Sequence, residues 1–133
     1  MDRKRGITGR ELAGPAILAL LLLMGVLFAW YLNRQHTVMA EAMEDSSWMA
    51  LSDQWANAGE LAMSVRRDWE KGWRLRAVMT NHSPMEEIDT LFRELTVYEA
   101  AGERTDFART CAVLAEKLRS IASSGGFSWW NVL

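Results

Sequence analysis

Cysteine occurs once in this chain of 133 residues, as Cys111, so no disulfide can close within it and no paired-cysteine metal site exists. Histidine occurs twice, as His36 and His82, too far apart in sequence to suggest a metal site. No Gly/Ser linker, sustained β alternation or long internal repeat is present. A broad basic excess is also missing: from residue 41 onward ten Lys/Arg face fifteen Asp/Glu, a net charge of −5. That balance speaks against binding nucleic acid or an anionic lipid surface. What the chain does have is apolar mass. Half of its residues are hydrophobic and seven are tryptophan, at 30, 48, 55, 69, 73, 129 and 130.

The longest uncharged run, LAGPAILALLLLMGVLFAWYL, covers residues 12–32. As a helix these residues extend roughly 31 Å, close to the thickness of a bilayer's hydrocarbon core. Gly14 and Pro15 are expected in its first turn, where a missing N–H does little harm. Trp30 and Tyr31 stand at the far end, where amphipathic rings favour the lipid–water boundary. Arg3, Lys4, Arg5 and Arg10 precede the run, whereas only Arg34 follows before Glu41, Glu44 and Asp45. The expected arrangement is a cytoplasmic N-terminus at 1–11, a transmembrane helix at 12–32 and an extracytoplasmic domain at 33–133. Signal-peptide cleavage near Ala40, after Val38-Met39, is the competing arrangement, but the apolar run is long for a signal peptide and Arg34 interrupts the approach to the site.

Beyond the span, the good helix formers of NRQHTVMAEAMED predict an outward continuation of the same helix. Asp45-Ser46-Ser47 and Ser52-Asp53 are both candidate N-caps for the next helix, expected to run to about Thr80. Its apolar stripe reads Trp48, Leu51, Trp55, Ala58, Ala62, Val65 and Trp69. The tryptophans at 48, 55, 69 and 73 fall within roughly 60° on a helical wheel. Trp55 and Trp69 are expected in the core, and Trp48 and Trp73 nearer the helix ends. Asn81-His82-Ser83-Pro84 marks the next boundary, with Pro84 at the first helical position and Ser83 and Glu86 forming a capping box. A third helix follows with Ile88, Leu91, Phe92, Leu95 and Tyr98 on one face, fading at Ala101-Gly102. A last helix from about Arg104 to Ala122 repeats Phe107, Cys111, Leu114, Leu118 and Ile121, and Ser123-Ser124-Gly125-Gly126 ends it. The expected fold is all-α: a transmembrane helix followed by a small antiparallel helical array, about three helices plus the outward continuation of the first. Its expected core includes Trp55, Trp69, Leu91, Leu95, Phe107, Leu114 and Leu118.

With these residues placed, the chain resembles a family of small bacterial proteins, best known from Firmicutes, classed as a domain of unknown function. The resemblance rests on Gln54-Trp55-x-x-Ala58, on Trp69 and Trp73, on the His82 turn with Glu87-Ile88-Asp89, and on Asn131-Val132-Leu133. The family more often has an acidic residue where Gln54 stands, and its histidine precedes the Glu-Ile-Asp triplet more directly than here, where Ser83-Pro84-Met85-Glu86 intervene. The resemblance implies a membrane helix, a short extracytoplasmic helical domain and an accessory role beside an envelope protein. It brings no established activity.

No catalytic, metal or cofactor site is expected. The cluster Arg66, Arg67, Lys71, Arg74 and Arg76 has Asp68 and Glu70 interleaved, and Glu70 is placed to pair with Arg74, which reads as a solvated helix face. His82 lacks a nucleophile or acid at a recognisable spacing, and Cys111 falls at a core position. The tail FSWWNVL either folds back over the helices or docks on a partner or the membrane interface. Trp73, His82, Phe127, Trp129 and Trp130 are the candidate contacts with a partner or ligand. The expected function is that of a membrane-anchored interaction module, not an enzyme, with a small-ligand or lipid binder using a groove beside the tail as the alternative.

Overall fold

The computed structural model describes residues 9–72 and 82–124, with side chains over 13–72 and 85–123. Four helices make up these residues: α1 (Gly9–Leu51), α2 (Trp55–Lys71), α3 (His82–Ala101) and α4 (Arg104–Ser124). Among the described residues there is no strand. The fold is all-α, and its first helix is long, apolar and near the N-terminus.

Helix α1 changes character along its length. From 13 to 28 every residue is exposed, including an unbroken run of leucines at 20–23. From His36 onward the pattern becomes one-sided: His36, Met39, Ala40, Met43, Ser46 and Ala50 are buried, at the spacing of three and four that keeps one stripe inward. The helix starts at Gly9, so Pro15 lies in its second turn and not its first, and forgoes one i→i−4 bond there.

The other helices close a four-helix bundle around that stripe. Residues 46 and 36 of α1 meet 58 and 69 of α2, so these helices run antiparallel. Residue 66 of α2 meets 96 of α3, and 69 meets 89, again antiparallel. Helix α4 returns along both α3 and α1, its most extensive neighbour. The shared core comprises Ala58, Ala62, Val65 and Trp69 of α2, Met85, Ile88, Phe92 and Leu95 of α3, and Phe107, Cys111, Leu114 and Leu118 of α4. Trp55, Leu91, Tyr98 and Ile121 are half-buried against it. Burial of such large side chains stabilises the bundle by about 1.5–3 kcal/mol each.

Two turns show how local chemistry sets the helix ends. At the first, Ser52 donates both its N–H and its hydroxyl to the Met49 carbonyl, at 3.2 and 2.9 Å, and α2 begins three residues later. At the second, Gly102 takes φ +70°, its N–H bonds to Glu99 O at 3.2 Å and the Glu103 N–H bonds to Tyr98 O at 3.0 Å. That pair of bonds is a Schellman motif, and its left-handed residue favours glycine.

The structure corrects the expected break between the first two helices. Helix α1 continues through Asp45-Ser46-Ser47 to Leu51, so these residues are not an N-cap. The two serines bond across helices instead: Ser46 Oγ donates to Ala58 O at 2.7 Å and Ser47 Oγ to Ala108 O at 2.8 Å. Trp48 and Leu51 therefore take their phase from α1 and not from α2. The α1 stripe through Met43, Ser46 and Ala50 points inward, which turns Trp48 out to 71% exposure and Leu51 to 61%. At its other end α2 closes at Lys71, short of the expected Thr80, with the Gly72 N–H bonded to Asp68 O. Helix α3 begins at His82, two residues before Pro84. The Ser83 side chain, and with it the expected capping box with Glu86, lies outside the described side chains.

Candidate functional site

Polar chemistry in the bundle concentrates where α2 faces α3. Trp69 is 1% exposed, and its indole N–H donates to Asp89 Oδ1 at 2.8 Å. The His36 ring from α1 lies 6.2 Å from the Trp69 ring and Phe92 lies 6.4 Å away on another side. One helical turn earlier, Arg66 bonds Glu70 at 2.9 Å within α2 and reaches across to Thr96 Oγ1 at 2.7 Å. Thr96 in turn donates to Phe92 O at 3.0 Å. The seam is thus a chain of directed bonds laid over aromatic packing, and it joins two helices that meet mainly through long side chains.

A shallow cleft of about 210 Å³ opens over this seam, lined by Arg66, Trp69, Glu70, Asp89, Phe92 and Arg93. It is smaller than ordinary small-molecule sites, which begin at about 300 Å³. Two guanidinium groups face two carboxylates, and Asp89 and Glu70 are already accepting bonds from Trp69 and Arg66. Such an arrangement holds helices in register. It offers no nucleophile next to a base.

Within the basic cluster, two ion pairs lie among the described residues. Glu70 accepts from Arg66, one turn before it, while Lys71 pairs with Asp68 at 3.4 Å. Arg74 and Arg76 lie outside the described residues. So do Trp73, Phe127, Trp129 and Trp130, together with the side chain of His82, and with them the expected groove beside the tail.

Cys111 sits in the core between α1 and α4. Its thiol donates to Ser46 Oγ at 3.7 Å. Burial pushes the thiol up to about 12, partly opposed by the bond to Ser46. A group held protonated in this way is a poor nucleophile at neutral pH. Among the described residues no cluster of three or more His, Cys, Asp or Glu side chains is placed to hold a metal ion.

At the opposite end of α2, the Trp55 ring meets Phe107 edge-on at 4.9 Å and the Arg104 guanidinium lies 5.7 Å from its centroid. Trp55 and Trp69 therefore brace the two ends of one helix, one through cation–π and aromatic contacts and the other through a charged hydrogen bond. Between them, Gly59 is buried under Glu99 of α3, and an added Cβ would fall against the end of that flexible side chain.

A known family model covers both tryptophans of α2 and the Glu-Ile-Asp triplet of α3, together with most of the chain. The model is described as a domain of unknown function (DUF4363), and it matches residues 26–132. The chain belongs to this family. The DUF4363 match starts inside the exposed apolar part of α1 and runs through the whole four-helix bundle. Comparison with curated proteins and with solved structures gives no match.

Several residues that organise the bundle were not singled out from the sequence. Asp89 stands in the sequence only as part of the Glu-Ile-Asp triplet, yet it is the acceptor for Trp69. Its position next to Ile88 and three before Phe92, on the edge of the buried stripe, was the available signal, because a buried indole N–H needs an acceptor. Ser46 carried no such signal, since its burial depends on α1 remaining helical past Asp45, whereas His36 falls within the helical continuation already expected from the sequence.

Proposed function

We propose that this DUF4363 member is a single-pass envelope protein with residues 1–11 in the cytoplasm, 12–32 in the membrane and 33–133 outside. Its bundle acts as an accessory module for another envelope protein and carries no catalysis of its own. The observation that carries this reading is the change of character along α1, which is exposed and apolar on every side from 13 to 28 and then one-sided from His36. A helix apolar all round is stable where lipid covers it, whereas a one-sided helix is stable against protein. The burial of Met39 and Ala40 supports an uncleaved anchor, because cutting after Ala40 would remove His36, Met39 and Ala40 from the core.

Alkaline extraction of membranes, combined with protease treatment of intact spheroplasts carrying a C-terminally tagged chain, tests the anchor and its orientation. The expected result is a full-length chain that stays with the membrane and loses its tag to external protease. A soluble product beginning at Glu41 would overturn the anchor, and a protected tag would overturn the orientation. Cross-linking in intact membranes tests the accessory role, which fails if no protein adduct forms from any face of the bundle.

A further inference from the structure

The outward face of α1 is not explained by packing within the bundle. Residues 41, 45, 48 and 51 recur at helical spacing within roughly 120°, opposite the buried Met39, Met43, Ser46 and Ala50. Glu41 and Asp45 are exposed, and among the described residues neither has an ion-pair partner. Glu44 beside them is paired with Arg119 of α4. Like charges at i,i+4 repel within a helix. On α1 itself, Arg34 stands at the same phase two turns toward the N-terminus.

Helix α1 ends at Leu51 with no basic residue in its last turn, and Asp53 stands two residues on. The tip of the bundle remote from the apolar run holds the C-termini of α1 and α3 and the N-termini of α2 and α4, so the helix dipoles there largely offset one another. The negative charge of this face therefore comes from its carboxylates. One turn beyond Asp45, α1 puts Trp48 at 71% exposure, with Leu51 one turn on. A large exposed aromatic beside uncompensated carboxylates is complementary to a surface that is basic and apolar together.

We propose that the Glu41–Asp45–Trp48–Leu51 face of α1 docks a basic amphipathic helix of a partner protein, with Trp48 as the anchor and the two carboxylates selecting Lys or Arg. This rests on the accessory role proposed above and names the chemistry of the partner. Glu41 and Asp45 lie one turn apart, so cations at i and i+4 of the incoming helix match them. Trp48 and Leu51 cover the apolar stripe of that helix.

The full chain in lipid nanodiscs, titrated with a fluorescein-labelled helical peptide bearing Lys on one flank and Leu on its central stripe, tests the surface directly. The basic peptide is expected to bind, and the same peptide with Glu in place of Lys is not. The pair Glu41→Gln/Asp45→Asn should weaken binding about tenfold, and Trp48→Ser by a similar factor. The pair Glu94→Gln/Glu116→Gln removes the same charge from other faces and should leave affinity within about twofold. All three variants alter exposed side chains, and unchanged helical melting by circular dichroism confirms their folding. Equal weakening by the two charge pairs, indifference to Trp48→Ser, or equal binding of the acidic peptide would each overturn the proposal.

Photo-cross-linkers at positions 48 and 94 in intact membranes separate the two levels of inference. Adducts from 94 but not from 48 overturn this surface and leave the accessory role standing. Adducts from 48 support the surface only where the cross-linked peptide is rich in Lys or Arg, and a neutral or acidic peptide overturns it. Adducts from neither position overturn this surface, and the accessory role falls with it when cross-linkers on the remaining faces of the bundle give none either.

Discussion

Replacing Asp89 with alanine removes the acceptor of the Trp69 indole N–H and tests whether the α2–α3 seam is energetically important. The bond is 2.8 Å long and its donor is almost wholly buried, while Asp89 itself is half-buried. A hydrogen bond to a charged group contributes about 1.5–3 kcal/mol, and partial exposure of the carboxylate argues for the lower end, about 2 kcal/mol. In a bundle of this size that loss lowers Tm by roughly 8–16 °C. Asp89→Asn keeps a carbonyl acceptor at the same place and should cost about 1 kcal/mol or less. Thermal melts followed by circular dichroism at 222 nm, on the full chain in nanodiscs, read the difference. A double-mutant cycle with Trp69→Phe should return a coupling of about 1–2 kcal/mol. Equal midpoints for Asp89→Ala and Asp89→Asn, or a coupling near zero, would refute the reasoning and reduce the seam to aromatic packing.

Gly102→Ala forces a side chain onto φ +70° and should lower stability by about 1–2 kcal/mol, read as a reduced denaturation midpoint with an unchanged helix content. No neighbouring atom would obstruct the new methyl group, so the cost isolates backbone strain. Gln54→Asp introduces a capping carboxylate where α2 now lacks a side-chain cap and an acidic residue in its first turn, and should raise stability by about 0.5–1 kcal/mol in the same assay. For Cys111 the thiol is raised from 9.0 to about 12, so the unfolded chain loses its proton first as pH rises. Stability contributed by the protonated thiol is therefore complete below pH about 9 and declines between about 9 and 12. Cys111→Ala should flatten that part of the profile, and native Cys111 should resist iodoacetamide at pH 8 until denaturant is added.

Legibility in the sequence followed the range of the interaction. The α3 and α4 stripes were readable because each helix starts and ends on strong local signals and buries residues at intervals of three and four. Phe107, Leu114 and Leu118 needed no tertiary information. Trp48 was misplaced for the opposite reason. Two serine-containing segments offered equivalent capping chemistry, yet neither caps α2, whose N-cap is Gln54. Ser52 closes the end of α1, and Ser46 and Ser47 bond to distant acceptors, the carbonyls of Ala58 and Ala108. Only the folded bundle supplies those carbonyls. The pairing of Trp69 with Asp89 was half legible, because both residues stood in the motif that carried the family resemblance, but nothing in their spacing connected them across the α2–α3 connection. Arg66 has Glu70 one turn on, which is a local pair, and Thr96 across the seam, which only the folded bundle supplies.

Helix α1 also acts as a gear shaft. Its exposed apolar length and its core stripe share one unbroken backbone of 43 residues, without a hinge between them. Each added residue turns everything beyond it by about 100° and advances it by about 1.5 Å. One residue inserted between Leu32 and His36 would leave both halves chemically intact while rotating the bundle, with Trp48, to a different compass bearing about the shaft. Seven inserted residues would restore the bearing to within about 20° at a height of about 10 Å more. The number of residues between the two halves therefore encodes a direction as well as a distance.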